Sequence, residues 1–377
     1  MKRWKVAGIN FDHFHMGDNL RMASAHPAVE IVGLCDEQPD RMKQSVDELG
    51  LSSDQVFTDY ADCLRRTQPD IVLLCPASAE HGRWTKQVMA HGVHVLIEKP
   101  MAATLEEADA MIAAARQADR LLAINWPMAW YPPHRTAYRL IQEGQIGNVI
   151  EVHYYDGNRG PLYHTAGKQE RTAEQIAQEK PTSWFYRKSA GGGSLLDYLG
   201  YGATLATWFN GGQTPIDVTA VVDQPEGLEV DEHCIAIVRY ATGLSKLETR
   251  WGTFTDPWTH QPQPRCGFVI VGTAGTVSCY DYQATVRLQT NDCPAGIDIP
   301  VDSLSPTQSD PISYFIDRLE NDLPIDGPLS PEISRVGQQI VDTAMASMTT
   351  GHTLPLLGVI NENAMVPLVG KHPCISS

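Results

Sequence analysis

The sequence predicts an α/β fold in two parts: a parallel sheet first, then an α+β part on a large, mainly antiparallel sheet. Three observations predict it. Short Val-, Ile- and Leu-rich runs recur at regular intervals over the first third, with helix-like stretches between them. Near residue 125 that rhythm stops, at Pro127, Pro132 and Pro133. From about residue 218 strand-like runs follow one another without helices between, and two helices close the chain. One hydrophobic core rarely grows past roughly 250–300 residues, so 377 residues divide into a domain over 1–125, a second over 126–358 and a tail over 359–377.

The first apolar runs lie at 5–8, 31–36, 71–74, 94–98 and 121–125. Their length and composition suit strands buried on both faces. Residues 105–116 are the clearest helix between them, with Thr104 as N-cap and Glu107 at the capping-box position. Another helix over 84–90 is followed by Gly92 as a stop. Strand and helix in repetition imply a parallel sheet with right-handed crossovers. Next come a helix over 134–143 ended by Gly144, and a strand over 149–155. The polar stretch 160–181 reads as a long loop. Gly191, Gly192 and Gly193 precede a helix over 195–209. Strands are expected at 218–223, 233–240, 244–251, 267–271, 276–280 and 285–289, and helices at 311–321 and 331–348. The alternation through Leu247, Thr249 and Trp251 marks a sheet with one covered face, and these three are assigned to the open one. There are no internal repeats or low-complexity segments.

Charge and composition exclude several functions. With 29 Lys plus Arg against 45 Asp plus Glu, the net charge is −16, which repels phosphate backbones and argues against nucleic acid. No apolar stretch reaches about 18 residues without a charge, so no membrane span is expected. The start, Met1-Lys2-Arg3-Trp4, lacks a long apolar signal core. Cys35, Cys63, Cys75, Cys234, Cys266, Cys279, Cys293 and Cys374 show no CxxC spacing. They read as reduced thiols of a cytoplasmic protein.

The first strand run ends at Gly8, where a dinucleotide fold of the Rossmann kind needs a tight turn with amides facing a pyrophosphate. Against the usual GxGxxG, Asn10 and His13 take the places of the second and third glycines. Asn tolerates left-handed backbone angles, whereas a side chain at His13 crowds the site unless the loop shifts. Gly8, Asn10 and Phe11 are the candidate cofactor contacts here. Asp36 lies 28 residues past Gly8. It either binds ribose hydroxyls or caps its own turn, and with Glu37 beside it a 2′-phosphate is repelled, favouring NAD over NADP. His13 and His15 form an HxH pair beside Asp12, but loop histidines near a polar ligand are commoner than metal ligands, and no metal is expected.

More specific is the segment Cys75-Pro76-Ala77-Ser78-Ala79-Glu80-His81, followed by a helix and a strand ending in Glu98-Lys99-Pro100. It resembles the glucose–fructose oxidoreductase, inositol dehydrogenase and rhizopine catabolism (Gfo/Idh/MocA) family. The stretch from Gly191 to Asp197 and Tyr201 looks like the family's GGGxLxDxGx(H/Y) helix, and the run from Asp310 to Leu319 resembles its late helix. The resemblance covers roughly 1–355. It implies that Pro76 and His81 help hold the cofactor, that Glu98 holds the nicotinamide ribose, that Lys99 faces the reacting hydroxyl, and that Asp197 binds or polarises the substrate. Tyr201 stands where most members have histidine. There are three departures: the glycine turn is degenerate, aromatic residues around Trp126 replace the usual arginine after the sixth strand, and Leu199 replaces a glycine, with Gly200 next.

By that resemblance the function is hydride transfer between NAD and a hydroxyl or carbonyl of a sugar, sugar derivative or cyclic polyol. An NAD-dependent glycoside hydrolase or lyase working by transient oxidation, and a non-catalytic dinucleotide-binding regulator, remain as alternatives. Either Lys99 and Tyr201 supply the base between them or Lys99 is the base, with Lys99 ranked ahead because its place beside Glu98 is fixed by adjacency in sequence. A tyrosine base near pH 7 needs its value, ordinarily about 10, lowered by about 3, worth roughly 4 kcal/mol. Each candidate also has a plain structural reading: a solvated strand-end lysine, a capping aspartate at 197, and helix packing for Tyr201. Trp126 and neighbouring aromatics are candidates for stacking on a sugar ring. The open sheet face suits a homodimer or homotetramer.

Overall fold

The structure, a computed structural model, describes residues 3–358. The expected tail over 359–377 lies outside the described residues, as does Cys374. The first sheet is wholly parallel, with strands β1 (Trp4–Ile9), β2 (Val29–Cys35), β3 (Val56–Phe57), β4 (Ile71–Leu74), β5 (His94–Glu98) and β6 (Leu122–Asn125). Their spatial order is β3-β2-β1-β4-β5-β6. That is the doubly wound dinucleotide-binding order, with its switch point between β1 and β4. Helices α1 (His15–Ala25), α2 (Lys43–Leu49), α3 (Tyr60–Thr67), α4 (His81–Met89) and α5 (Leu105–Ala118) make the crossovers. As expected, the Thr104 hydroxyl accepts the Glu107 N–H at the start of α5. Strand β3 escaped sequence reading because two residues, paired to Leu34 and Cys35, leave no periodic pattern.

Among the described residues the second sheet has nine strands: β7 (Val149–Asn158), β8 (Asp217–Asp223), β9 (His233–Tyr240), β10 (Gly243–Trp251), β11 (Gly267–Gly272), β12 (Gly275–Tyr280), β13 (Thr285–Thr290), β14 (Cys293–Pro300) and β15 (Leu354–Pro355). Their order is β14-β13-β12-β11-β7-β10-β9-β8-β15, antiparallel except where β10 lies parallel to β7. Sequence reading missed β14, whose residues are mostly solvent-exposed or half-buried and carry Pro294 and Gly296, and β15, which is two residues long. The remaining helices are α6 (Pro132–Gln142), α7 (Ala173–Glu179), α8 (Ser194–Phe209), α9 (Pro311–Glu320) and α10 (Pro331–Thr350). Helix α7 corrects the loop expected over 160–181: Thr172 and Gln175 close a capping box there.

One face of the second sheet is covered by α8 and α10. Leu247, Thr249 and Trp251 are buried on that covered side, so their assignment to the open face is corrected. A strand alternates strictly, and in β10 it is Leu244, Lys246 and Arg250 that stay out of the core. Exposed Val221 and Ile237 share that open face on β8 and β9. Helix α9 instead packs on the first sheet: Ile312, Phe315 and Ile316 join Trp4, Val6 and Leu96 in one core. Asp310 caps it by accepting the N–H groups of Ile312 and Ser313.

Candidate active site

The turns after β4 and β5 meet the start of α8, and the turn after β1 meets the loop leading into it. In this fold class ligands bind beyond the C-terminal strand ends. A cavity of about 720 Å³ bordered by Trp4, Asp70 and His94 lies at the other ends of these strands and plays no part in the site.

Strand β5 delivers Glu98 and then Lys99. Glu98 is fully buried. Its Oε1 lies 2.9 Å from His15 Nδ1, and its Oε2 is buried without a partner among the described residues. The Lys99 ammonium donates to Asp197 Oδ1 at 2.6 Å and approaches the Asp197 carbonyl oxygen at 3.4 Å. Both side chains are 3% exposed, so this is a buried ion pair and not the solvated strand-end lysine. Asp197 sits in the first turn of α8, where the helix dipole favours a carboxylate. That helix start is fixed in two ways. Asp231 accepts the Leu195 N–H through Oδ2 at 2.8 Å and the Ser194 N–H through its carbonyl at 3.0 Å, and burial pushes its carboxyl up to about 7. At Gly191, with φ +81°, a Cβ would lie 2.9 Å from Ala79 N and from Ser78 Cβ. The triple glycine thus lets the start of α8 touch the turn after β4.

One helical turn beyond Asp197, the Tyr201 ring lies 5.3 Å from Lys99 Nζ. Burial, then the charges of Glu98 and Asp197, hold its phenol well above its ordinary value. These surroundings oppose ionisation of Tyr201 and so weigh against a role as base. Trp126 is also corrected as a stacking platform. It is 1% exposed, stands edge-on behind Tyr201 at 5.2 Å, and donates its indole N–H to Ser334 Oγ. Its ring fills the space above Gly200, where a Cβ would lie 2.5 Å from Trp126 Cη2. The helix therefore needs glycine at 200, and Leu199 faces the core instead. Other aromatic candidates are packing residues too: Tyr154 is buried with its hydroxyl on Asp156, and Trp130 packs on Tyr314. Asn158 is bonded to Tyr198, and Arg159 to Asp256.

The cofactor turn departs from the sequence reading. Gly8 lies inside β1, where a Cβ would press on Leu34, Met16 and Leu20 at 3.1–3.3 Å, so its lack of a side chain serves helix–sheet packing. Asn10, with φ +65°, makes the tight turn. Asn10 thus takes the first glycine place, and Asp12 and His15 fall at the second and third. The turn amides bond internally: Asn10 N–H to Cys35 O, Phe11 N–H to Asp36 Oδ2, Asp12 N–H to Asn10 Oδ1 and His13 N–H to Cys75 O. Asp12 accepts the Ala77 N–H at 3.2 Å and pairs with Arg41 at 2.5 Å. Asp36 caps the turn, accepting Gln38 N–H at 2.7 Å as well as Phe11 N–H. Beside it a cavity of about 340 Å³ is bordered by Asn10, Asp36, Glu37 and Trp84. The ring nitrogens of His81 face the carbonyl oxygens of Pro76 and Met101 at 3.1 and 3.3 Å. That ties the turn after β4 to the loop after Lys99.

A nicotinamide dinucleotide fits this site unevenly. The unpartnered Glu98 oxygen suits a ribose hydroxyl, and the cavity by Asp36 suits the other end. Between them the turn amides are already engaged, and an acidic side chain stands where a pyrophosphate would pass.

The sequence matches a profile described as an oxidoreductase family with an NAD-binding Rossmann fold over residues 2–126, and a Gfo/Idh/MocA C-terminal domain over residues 134–278. A dTDP-3,4-didehydro-2,6-dideoxy-alpha-D-glucose 3-reductase from Actinomadura kijaniata is 26% identical over 193 residues, 51% of this chain and 52% of that one. The chain thus matches about half the length of that relative. A 1,5-anhydro-D-fructose reductase from Ensifer adhaerens is 26% identical over 253 residues, 66% and 67% of the two chains. Among solved structures, an oxidoreductase from Agrobacterium radiobacter in complex with NAD+, L-tartaric acid and magnesium aligns with a TM-score of 0.74 at 18% identity, covering 94% of this chain and 99% of that one. At that identity the likeness concerns the fold.

Proposed function

The chain belongs to the Gfo/Idh/MocA oxidoreductase family, and on that premise we propose that it transfers a hydride between a nicotinamide dinucleotide and a CH–OH or carbonyl group of a sugar, sugar derivative or cyclic polyol. The observation that carries this reading is the buried Lys99–Asp197 pair set beside the unpartnered oxygen of Glu98. When bound, the nicotinamide supplies the hydride acceptor or donor. Glu98 Oε2 accepts a ribose hydroxyl. Lys99 Nζ handles the proton at the reacting oxygen: in reduction the ammonium gives it up to the developing alkoxide, and in oxidation the amine takes it. Asp197 holds Lys99 in place, and Tyr201 donates a hydrogen bond to the substrate. Burial of all three keeps water from the reacting centre.

NAD is favoured over NADP because Asp36 and Glu37 border the adenosine-side cavity, while Arg41 is engaged by Asp12. Residues 1–125 serve the cofactor, and 126–358 serve substrate binding and assembly. A homodimer or homotetramer forms through the open sheet face, supported by Val221, Ile237 and Leu244 exposed on it. A cytoplasmic setting is supported by seven unpaired cysteines among the described residues. No described helix is long and apolar enough to cross a membrane.

The test is a panel of aldoses, inositols and sugar acids with nicotinamide reduction as readout. Wild type should turn over at least one, and Lys99→Ala should lose about two orders of magnitude. Turnover of none, or turnover untouched by Lys99→Ala, counts against the reading.

A further inference from the structure

The sequence set aside a metal site at the HxH pair, with Asp12 as the nearest acid. The fold brings a different acid to that pair. One ligand-type atom from each of His13, His15 and Glu98 lies within 4.8 Å of the other two. We propose that these three residues bind a first-row divalent transition-metal ion of the zinc or iron(II) class, beside the Lys99–Asp197 pair.

Geometry supports the site. Zn–N and Zn–O bonds of about 2.0–2.2 Å place tetrahedral ligands about 3.3 Å apart, so the donors need to close by about 1.5 Å at most. His15 can supply that movement, since its side chain is 25% exposed. The other two are held. His13 is 2% exposed, its N–H is tied to Cys75 O at 2.9 Å, and its ring packs on His15 and Phe185 with centroids 4.3 and 5.4 Å away. Glu98 ends a central strand. Three ligands from a turn, a helix start and a strand end leave open positions for a substrate oxygen, as sites with two histidines and one carboxylate do. Imidazole with carboxylate selects such ions over magnesium or calcium, which prefer all-oxygen sites.

Charge and burial add a second argument. Glu98 is fully buried with no Lys or Arg on it among the described residues, since the adjacent Lys99 is committed to Asp197. A buried carboxylate without a cation is costly, and a divalent ion at Oε1 offsets that cost while Oε2 stays free. A further imidazole stands close by. His164 is 8% exposed, its Nδ1 is buried without a partner among the described residues, and it lines the same cavity as His13. Its ring is 5.0 Å from that of Phe14, which lies 4.7 Å from His13.

The site shares Glu98 with the nicotinamide reading, so the experiment separates the two. The metal-stripped full chain is titrated with Co2+ alone, with neither nucleotide nor sugar present, and followed by visible ligand-field absorption and calorimetry. One equivalent should bind, and His15→Ala should weaken binding at least about 100-fold, beyond what loss of an outer-shell partner costs. His15→Ala is the main variant because His15 is partly exposed, and a thermal melt checks its fold. Glu98→Gln, which keeps shape, should weaken binding in the same direction. Failure of wild type to bind Co2+ below millimolar, or equal binding by wild type and His15→Ala, overturns the site. NAD calorimetry on the same samples reads the other claim: NAD binding without Co2+ binding removes the metal site alone, and Co2+ binding without NAD binding removes the nicotinamide reading alone.

Discussion

Removing Lys99 should damage the fold as well as the chemistry, and the two effects can be separated. Its ammonium sits 2.6 Å from Asp197 Oδ1, with both side chains 3% exposed. Lys99→Met replaces the ammonium by an apolar end of similar length and strands the carboxylate in the core. Breaking one side of a buried pair costs about 3–5 kcal/mol, whereas replacing both partners by apolar residues is often neutral or stabilising. Lys99→Met should therefore lose about 3–5 kcal/mol of unfolding free energy. The double variant Lys99→Met/Asp197→Leu should recover most of it while remaining inactive. Urea denaturation of the wild type, both single variants and the double variant closes a thermodynamic cycle, with coupling well above the about 0–1 kcal/mol of a surface pair. A loss below about 1 kcal/mol in Lys99→Met, or a double variant no more stable than either single one, would refute the buried-pair reasoning.

Asp231 should make stability fall as pH rises. Its carboxyl is raised to about 7 by burial, so from about pH 4 to about pH 7 the folded form holds a proton the unfolded chain has released. The loss is of order 4 kcal/mol at most; Asp231→Asn should flatten that part of the urea-measured profile, and an unchanged slope would count against it. Asp12→Ala removes a negative charge from the cofactor turn and frees the Ala77 N–H and Arg41. It should tighten NAD binding about ten-fold, or about 1.4 kcal/mol by calorimetry, and unchanged or weaker affinity contradicts the account of the turn. On the open sheet face, Ile237→Lys should shift the assembly toward monomer in light scattering at micromolar concentration. A wild type that is already monomeric rejects that interface.

Much of the fold was legible because burial imposes period. The strands β1, β2, β4, β5 and β6 are short apolar runs, and the helix expected from residue 105 carries a cap that the structure bears out at Thr104. The short β3 and the exposed β14 were not legible, since neither buries enough side chain to leave a pattern. The face of β10 was misassigned because alternation names two faces without saying which is covered. In the site, Glu98, Lys99 and Asp197 were found through Glu-Lys-Pro and the triple glycine, and the fold brings them together. What failed was geometry beyond the chain's own register. Taking Gly8 as the turn misplaced the glycine positions by two, and only the left-handed backbone at Asn10 corrects it. Trp126 looked like a platform from composition, but its indole N–H is spent on Ser334. The neighbours of His13 and His15 come from β5, more than 80 residues away, which no local spacing reveals.

The most direct test of the central claim is a crystal structure of the protein soaked with NAD and a mixed sugar library. The nicotinamide ribose should lie on Glu98 Oε2, a sugar or polyol hydroxyl should come within hydrogen-bond reach of Lys99 Nζ, and the turn at Asn10–Asp12 should reopen around the pyrophosphate. A dinucleotide whose ribose lies away from Glu98, or a sugar bound out of reach of Lys99, would contradict it.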